Sequence, residues 1–246
     1  MIPAEQPTTS APRPWGIVMT TVWTLVVALA AVILSSVALM VWFPNLTSAS
    51  DVMADTRLFG TMFAVSIVAE IVVLAVAARL AGWRTTTYLG LVPASRRDTM
   101  IAVGSIVVFM LAFDILTYLL EKDVVTPFQD ELYRNADTAG AVTLMLVALV
   151  IAAPVGEEIL FRGFLYRGWA QTPRAVLPAI VVISALWAVI HTQYDWYGIF
   201  QIFLIGLLLG WVRWRSGSTL LTILQHAIIN AWATLQTVFV VEWLGG

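Results

Sequence analysis

The sequence predicts an all-α fold, a polytopic transmembrane helical bundle of about seven spans, with six to eight compatible with the pattern. Three observations predict it. The 246 residues are 60% hydrophobic and only 11% charged, with a mean hydropathy of +0.89, whereas ordinary globular domains carry about 25% charged residues. The apolar residues fall into seven long runs, and a helix needs about 20 such residues to cross a bilayer core. These runs lack the alternation of barrel strands, and only helices and closed barrels satisfy their backbone groups in lipid.

Residues 1–14 (MIPAEQPTTSAPRP) are rich in Pro, Thr and Ser and are expected to form a disordered tail. Residues 15–246 read as one transmembrane domain. The run 16–43 has no charge and is too long for a signal-peptide core, so it is expected to be an uncleaved first helix. Further spans are expected at 58–80, 99–120, 139–166, 175–192, 197–213 and 218–241. The fourth is long and is expected to protrude or bend near Pro154; the fifth and sixth are short. No internal repeat of the transporter kind is visible. Asn45-Leu46-Thr47 is a glycosylation triplet, meaningful only in a secretory pathway.

Composition also excludes functions. There is no Cys, hence no disulfide, thiol nucleophile or Cys-ligated metal. A net charge of −2 without basic tracts points to no polyanionic partner, and so to no nucleic acid, and the apolar composition leaves the lipid bilayer as the surroundings. Of 13 cations only Lys122 is a lysine, a bias that hints at a GC-rich genome and a bacterial plasma membrane.

Loop charge orients the bundle. With the N-terminus in the cytoplasm, that side holds nine cations: Arg13, Arg79, Arg84, Arg96, Arg97, Arg167, Arg174, Arg213 and Arg215. The outer side holds three, Arg57, Lys122 and Arg134. The positive-inside rule therefore expects a cytoplasmic N-terminus and, with seven spans, an outer C-terminus.

Ionisable and strongly polar residues at membrane depth are costly and mark candidate sites. Here they are Glu70, Asp114, Glu157, Glu158, Arg162, His191, His226 and Asn230. Glu70 and Asp114 have a plain structural reading as bonds across helices or the lining of a water cavity. His191, near a helix end, could be interfacial. His226 lies one turn from Asn230, so two polar side chains share one face of an apolar helix.

The segment GEEILFRGFLYRG (156–168) sharpens this list. Helical residues step by about 100°, so Glu158 and Arg162 share a face at ion-pair spacing, whereas Glu157 points away. Glu158 is the expected partner of Arg162. Glu157 has no cation on its own helix, which leaves it for general-base chemistry. A solvated charge cluster would account for Arg167, but Ile159, Leu160, Phe161, Phe164 and Leu165 keep the surroundings apolar. Counted at about 1.5 Å per residue, Glu157 and Asn230 lie roughly 15–20 Å from the cytoplasmic ends, with His226 shallower and His191 deeper. One cavity could hold all four. A glutamate, two histidines and an asparagine form a hydrolytic set of base, partner and oxyanion donors. Two His and a carboxylate also suit zinc. HExxH is absent, but separate helices could supply the ligands, so spacing leaves zinc open.

EEILFR (157–162) matches the pattern EExxxR, WAVIH (187–191) matches F/WxxxH, and HAIIN (226–230) matches HxxxN. In this order, on hydrophobic helices, they resemble the CPBP family of intramembrane proteases. That family includes the CAAX prenyl endopeptidases and the bacteriocin-processing and self-immunity proteins. The resemblance covers about residues 140–241. It implies an intramembrane endopeptidase acting on a peptide or membrane-protein substrate, membrane-associated or lipidated, whose cavity opens to the cytoplasm. In it Glu157 and His191 activate water, His226 and Asn230 stabilise the oxyanion, and Glu158 and Arg162 support them. It also implies a mechanism without a metal cofactor, with zinc as the alternative. Two competing readings are a non-proteolytic binding or immunity protein and a transporter with a proton path through Glu70 and Asp114. The intact motifs argue against the first; the second leaves the four-residue set without a purpose.

Overall fold

The computed structural model describes residues 12–44 and 56–245. Most of the expected tail and the Asn45-Leu46-Thr47 triplet lie outside the described residues. All regular structure among the described residues is helical. In chain order the helices are α1 (Ile17–Trp42), α2 (Thr56–Leu80), α3 (Thr85–Tyr88), α4 (Arg96–Leu119), α5 (Pro127–Thr138), α6 (Val142–Trp169), α7 (Pro173–Val189), α8 (Trp196–Ser216) and α9 (Thr219–Trp243). Six of these are long and apolar enough to cross a membrane, and α7 is a shorter apolar helix of 17 residues. The chain is a multi-pass integral membrane protein, and each expected span corresponds to one of these seven helices.

Caps set the boundaries. The Ser95 hydroxyl accepts from Asp98 N at 3.1 Å and starts α4 a turn earlier than hydropathy suggests. Asp195 Oδ1 accepts from Gly198 N at 2.8 Å, and Gly217 ends α8 with φ 69°. Between them α8 reaches 21 residues, longer than expected. Helix α5 was not expected, because its sequence PFQDELYRNADT is too polar for a hydropathy search. Its signals are local: Pro127 in the first turn, and a capping box in which Thr126 and Gln129 bond each other's backbone.

The bundle is apolar outside and buries polar side chains among its apolar core. Val18, Leu25 and Leu29 of α1 are 74%, 65% and 60% exposed, as suits lipid. Glu158, Arg162, Thr222 and Gln225 are buried. Neighbouring helices approach through small residues, the usual device where water supplies no hydrophobic drive between spans. Gly206 and Gly210 of α8 face Ser184 and Ile180 of α7, which makes that pair antiparallel. Gly168 of α6 abuts Thr20 of α1, where a Cβ would collide. On α1 and α2, Ser35 and Ser66 bond each other at 2.9 Å.

These contacts define two ends. One holds Trp15, the connection 81–95, residues 170–172 and residues 217–218, with exposed Arg84, Arg96, Arg97, Arg174 and Arg215. The other holds 120–141, 190–195 and the end of α9, with exposed Glu121, Asp123, Glu131, Asp137, Asp195 and Glu242. We call them the basic and acidic ends.

A Cβ on Gly206 would lie 2.8 Å from Ser184 Cβ and 3.1 Å from its Cα, so the backbones of α7 and α8 must part to accept one. Gly206→Leu is expected to destabilise the protein by about 1–3 kcal/mol, the usual cost of overpacking. Gly104→Ala, with nothing within 4 Å of the added atom, is the control that should not destabilise. Unfolding in detergent micelles, followed by circular dichroism, measures both.

Candidate active site

The site is built on α6, which is α-helical around Glu157 and Glu158 but π-helical on either side, at Ala148–Ala152 and Ile159–Leu165. The expected disturbance near Pro154 is therefore a change of helical pitch within one continuous helix. Ala153 N–H donates to Ala148 O, five residues back. By the same register residue 154 would donate to Leu149 O, but Pro154 has no N–H. Asn230 Nδ2 of α9 donates to that carbonyl at 2.7 Å. A proline on one helix thus opens an acceptor that fixes an amide on another. The second π segment behaves similarly: Arg213 Nε of α8 donates to Arg162 O at 2.9 Å.

Glu158 and Arg162 form the expected pair, Nη1 to Oε1 at 2.8 Å, with both side chains at most 1% exposed. The pair is part of a larger cluster. Glu158 Oε1 also accepts from His226 Nδ1 at 3.0 Å. Arg162 stacks its guanidinium 4.5 Å from the ring of Trp187 on α7 and donates to Gly206 O at 3.4 Å. Glu157 points elsewhere, as its helical position requires, and accepts from Trp187 Nε1 at 2.5 Å. The Trp187 ring meets His191 and His226 edge-on, at 5.3 and 5.2 Å between centroids. Trp187 is therefore the hub that sequence reading treated only as a motif match.

Partners place a hydrogen on Nδ1 of both histidines. His191 Nδ1 bonds Trp187 O at 2.7 Å, and a carbonyl only accepts, so Nδ1 carries hydrogen and Nε2 presents a lone pair. His226 Nδ1 faces a carboxylate and likewise donates, which leaves Nε2 as the ring atom available to a ligand. Helix α7 stops at Val189, so His191 sits in the turn beyond it rather than inside a helix.

Two adjoining cavities meet at these residues. The larger holds about 560 Å³ and the smaller about 220 Å³. His191, Tyr194, His226 and Asn230 line both, and Glu157 lines the smaller. All four expected catalytic residues therefore converge. Tyr194, which sequence reading passed over, has its ring centroid 6.3 Å from that of His191. Burial, and secondarily the charge of Glu157, push its phenol up to about 12, so it remains a neutral donor beside the carboxylate. Asp114 accepts from Trp232 Nε1 and Gln236 Nε2, each at 2.9 Å, a bond between α4 and α9 on the wall of the larger cavity. Glu70 packs beside Gly156 with one buried oxygen that has no hydrogen-bond partner. Among the described residues no three His, Asp or Glu are grouped to hold a metal ion.

The larger cavity is lined by Glu121–Val124, Tyr194 and Tyr197, residues at the acidic end.

Residues 139–232 match the family model for type II CAAX prenyl endopeptidases, Rce1-like, a span that holds all three motifs. This bears out the resemblance over that segment. An Escherichia coli protein described as "Uncharacterized 24.3 kDa protein" is 31% identical over 107 residues, covering 41% of this chain and 46% of that protein. The match thus spans about half of that relative's length. No solved structure matches.

Two outcomes follow from the geometry. Arg162→Met leaves the buried carboxylate of Glu158 with His226 as its one ring partner and is expected to cost about 3–5 kcal/mol. Adding Glu158→Gln should recover part of that loss, which a double-mutant cycle of detergent unfolding measures. Pro154→Ala restores an N–H beside Leu149 O and should loosen Asn230. Turnover of a peptide substrate is expected to fall about tenfold with KM unchanged, and Asn230→Ala should add little to it.

Proposed function

We propose that the protein is an intramembrane endopeptidase that hydrolyses a peptide bond of a membrane-associated or lipidated polypeptide, using glutamate chemistry. The observation that carries this reading is the convergence of Glu157, His191, His226 and Asn230 on two adjoining cavities. They do so within the segment that matches the Rce1-like endopeptidases.

Water in the smaller cavity is the nucleophile. Glu157 takes its proton as the oxygen attacks the scissile carbonyl, and His191 assists through the lone pair on Nε2. The tetrahedral oxyanion is met by His226 Nε2–H and by the amide hydrogen of Asn230 that Leu149 O does not use. Donation from both ring nitrogens of His226 uses the imidazolium form, with Glu158 as its counter-ion. Glu157 then returns its proton to the departing amine, which completes the hydrolysis. Arg162 and Trp187 position the set: Arg162 holds Glu158 in place, and Trp187 Nε1–H holds one oxygen of Glu157.

Glu157→Gln and His226→Ala are each expected to lower turnover at least about 100-fold, the scale of losing a base or an oxyanion donor, with helical content unchanged by circular dichroism. Comparing new protein N-termini in cells that make the wild type or Glu157→Gln identifies the bond cut. Turnover by purified protein should persist in a chelator; loss that added zinc restores would overturn the metal-free mechanism. Normal cleavage by Glu157→Gln would overturn the assignment of the base.

A further inference from the structure

We propose that Tyr194 is a further catalytic residue, whose hydroxyl donates a third hydrogen bond to the oxyanion that forms at the scissile carbonyl. This rests on the endopeptidase reading and deepens it.

The first observation is place. Tyr194 lines both cavities, and it shares that position with both groups assigned to the oxyanion, His226 and Asn230. Its ring centroid lies 6.3 Å from that of His191, the assigned helper of the base. A carbonyl bound where the cavities adjoin, within reach of His226 and Asn230, therefore also meets Tyr194.

The second is how firmly the ring is placed. Tyr194 N donates to His191 O at 3.1 Å and closes the turn beyond α7. The next residue, Asp195, caps α8 through Gly198 N. A Cβ on Gly198 would come within 3.0 Å of Tyr194 Cβ and 3.4 Å of its Cγ, so the first turn of α8 leaves the room that the ring takes. Phe128 of α5 makes a T-shaped contact with the ring at 5.8 Å. The turn, α8 and α5 thus hold one side chain between them.

The third is the hydroxyl. Tyr88 accepts from Trp15 N, Tyr133 donates to Glu242, and Tyr197 bonds Thr117. The Tyr194 hydroxyl bonds no group among the described residues, although its ring is the one fixed beside the catalytic set. Tyr166 also lacks a partner, but it lines neither cavity.

The phenol is a donor rather than a base, because burial and the nearby charge of Glu157 push it up to about 12. Such a donor gains most where its acceptor acquires negative charge, which is what the carbonyl oxygen does as water adds. The O–H bond is kept throughout. Glu157 alone carries the proton from the water to the departing amine.

Tyr194→Phe removes the hydroxyl and keeps the ring against Phe128, so the full-length variant is expected to unfold at the same midpoint as the wild type. The substrate is a peptide spanning the bond that Glu157-dependent N-termini identify. Tyr194→Phe should lower kcat about 100-fold, as for loss of an oxyanion donor, with KM unchanged. A phosphonate analogue of that peptide, whose charged oxygen stands in for the oxyanion, should bind the variant more weakly by a similar factor. Wild-type kcat in Tyr194→Phe overturns the proposal. So does a loss of rate with a raised KM and undiminished phosphonate binding, which would mark a packing role. Glu157→Gln separates the two readings. If it is inactive while Tyr194→Phe turns over normally, only the role of Tyr194 falls. If it too turns over normally, or no such termini exist, the endopeptidase reading falls and takes this proposal with it.

Discussion

The arrangement depends on one buried ion pair and the imidazole attached to it. Glu158 and Arg162 sit one helical turn apart, almost wholly removed from solvent and lipid. Desolvation alone would cost such a pair several kcal/mol per ion, a penalty that neighbouring charges and dipoles must offset. The partners that meet this need come from three other helices: His226 from α9, the face of Trp187 from α7 and Gly206 O from α8. Satisfying the charges thereby fixes the mutual placement of all four helices. Glu157 gains its position from this frame without belonging to it. It is one residue from Glu158, turned by the helical step toward the cavity, and held by the same Trp187 that covers Arg162.

The irregular pitch of α6 serves the same end. Interruptions of helical bonding inside a membrane are tolerated where other groups take up the released carbonyls. Here the acceptors at Leu149 and Arg162 are taken by side chains from α9 and α8. Each irregularity is thus also a tether between helices. The π segments bracket the two glutamates, and π-bulges concentrate at functional sites. In this chain the reason is visible: the same proline that perturbs the ladder frees the carbonyl that holds Asn230.

Much of this was legible in the sequence. The seven helices follow from apolar length, and the Glu158–Arg162 pair from a spacing of four. The division of labour between the two glutamates follows from the helical step alone. The remainder was hidden for separable reasons. Helix α5 is set by capping chemistry, which hydropathy does not weigh. The role of Trp187 depends on which groups surround its ring, and no one-dimensional pattern carries that. The Pro154–Leu149–Asn230 relation needs the π register, whose only trace is the proline.

The short α7 explains how water can reach a carboxylate at mid-depth in an apolar bundle. Its 17 residues span about 25 Å at 1.5 Å per residue, less than the roughly 30 Å of a bilayer core. Because α7 starts with Pro173 at the basic end, the shortfall falls at the acidic end. The turn 190–195 therefore lies below the level that a full-length span would reach, and His191 and Tyr194 come down with it. Polar backbone at that depth is admissible only where it borders a water-filled space, and the larger cavity lies against this turn. A longer α7 would lift His191 away from Glu157 and close the wet path. The missing turn of helix thus brings the larger cavity down to His191, which also lines the cavity that holds Glu157.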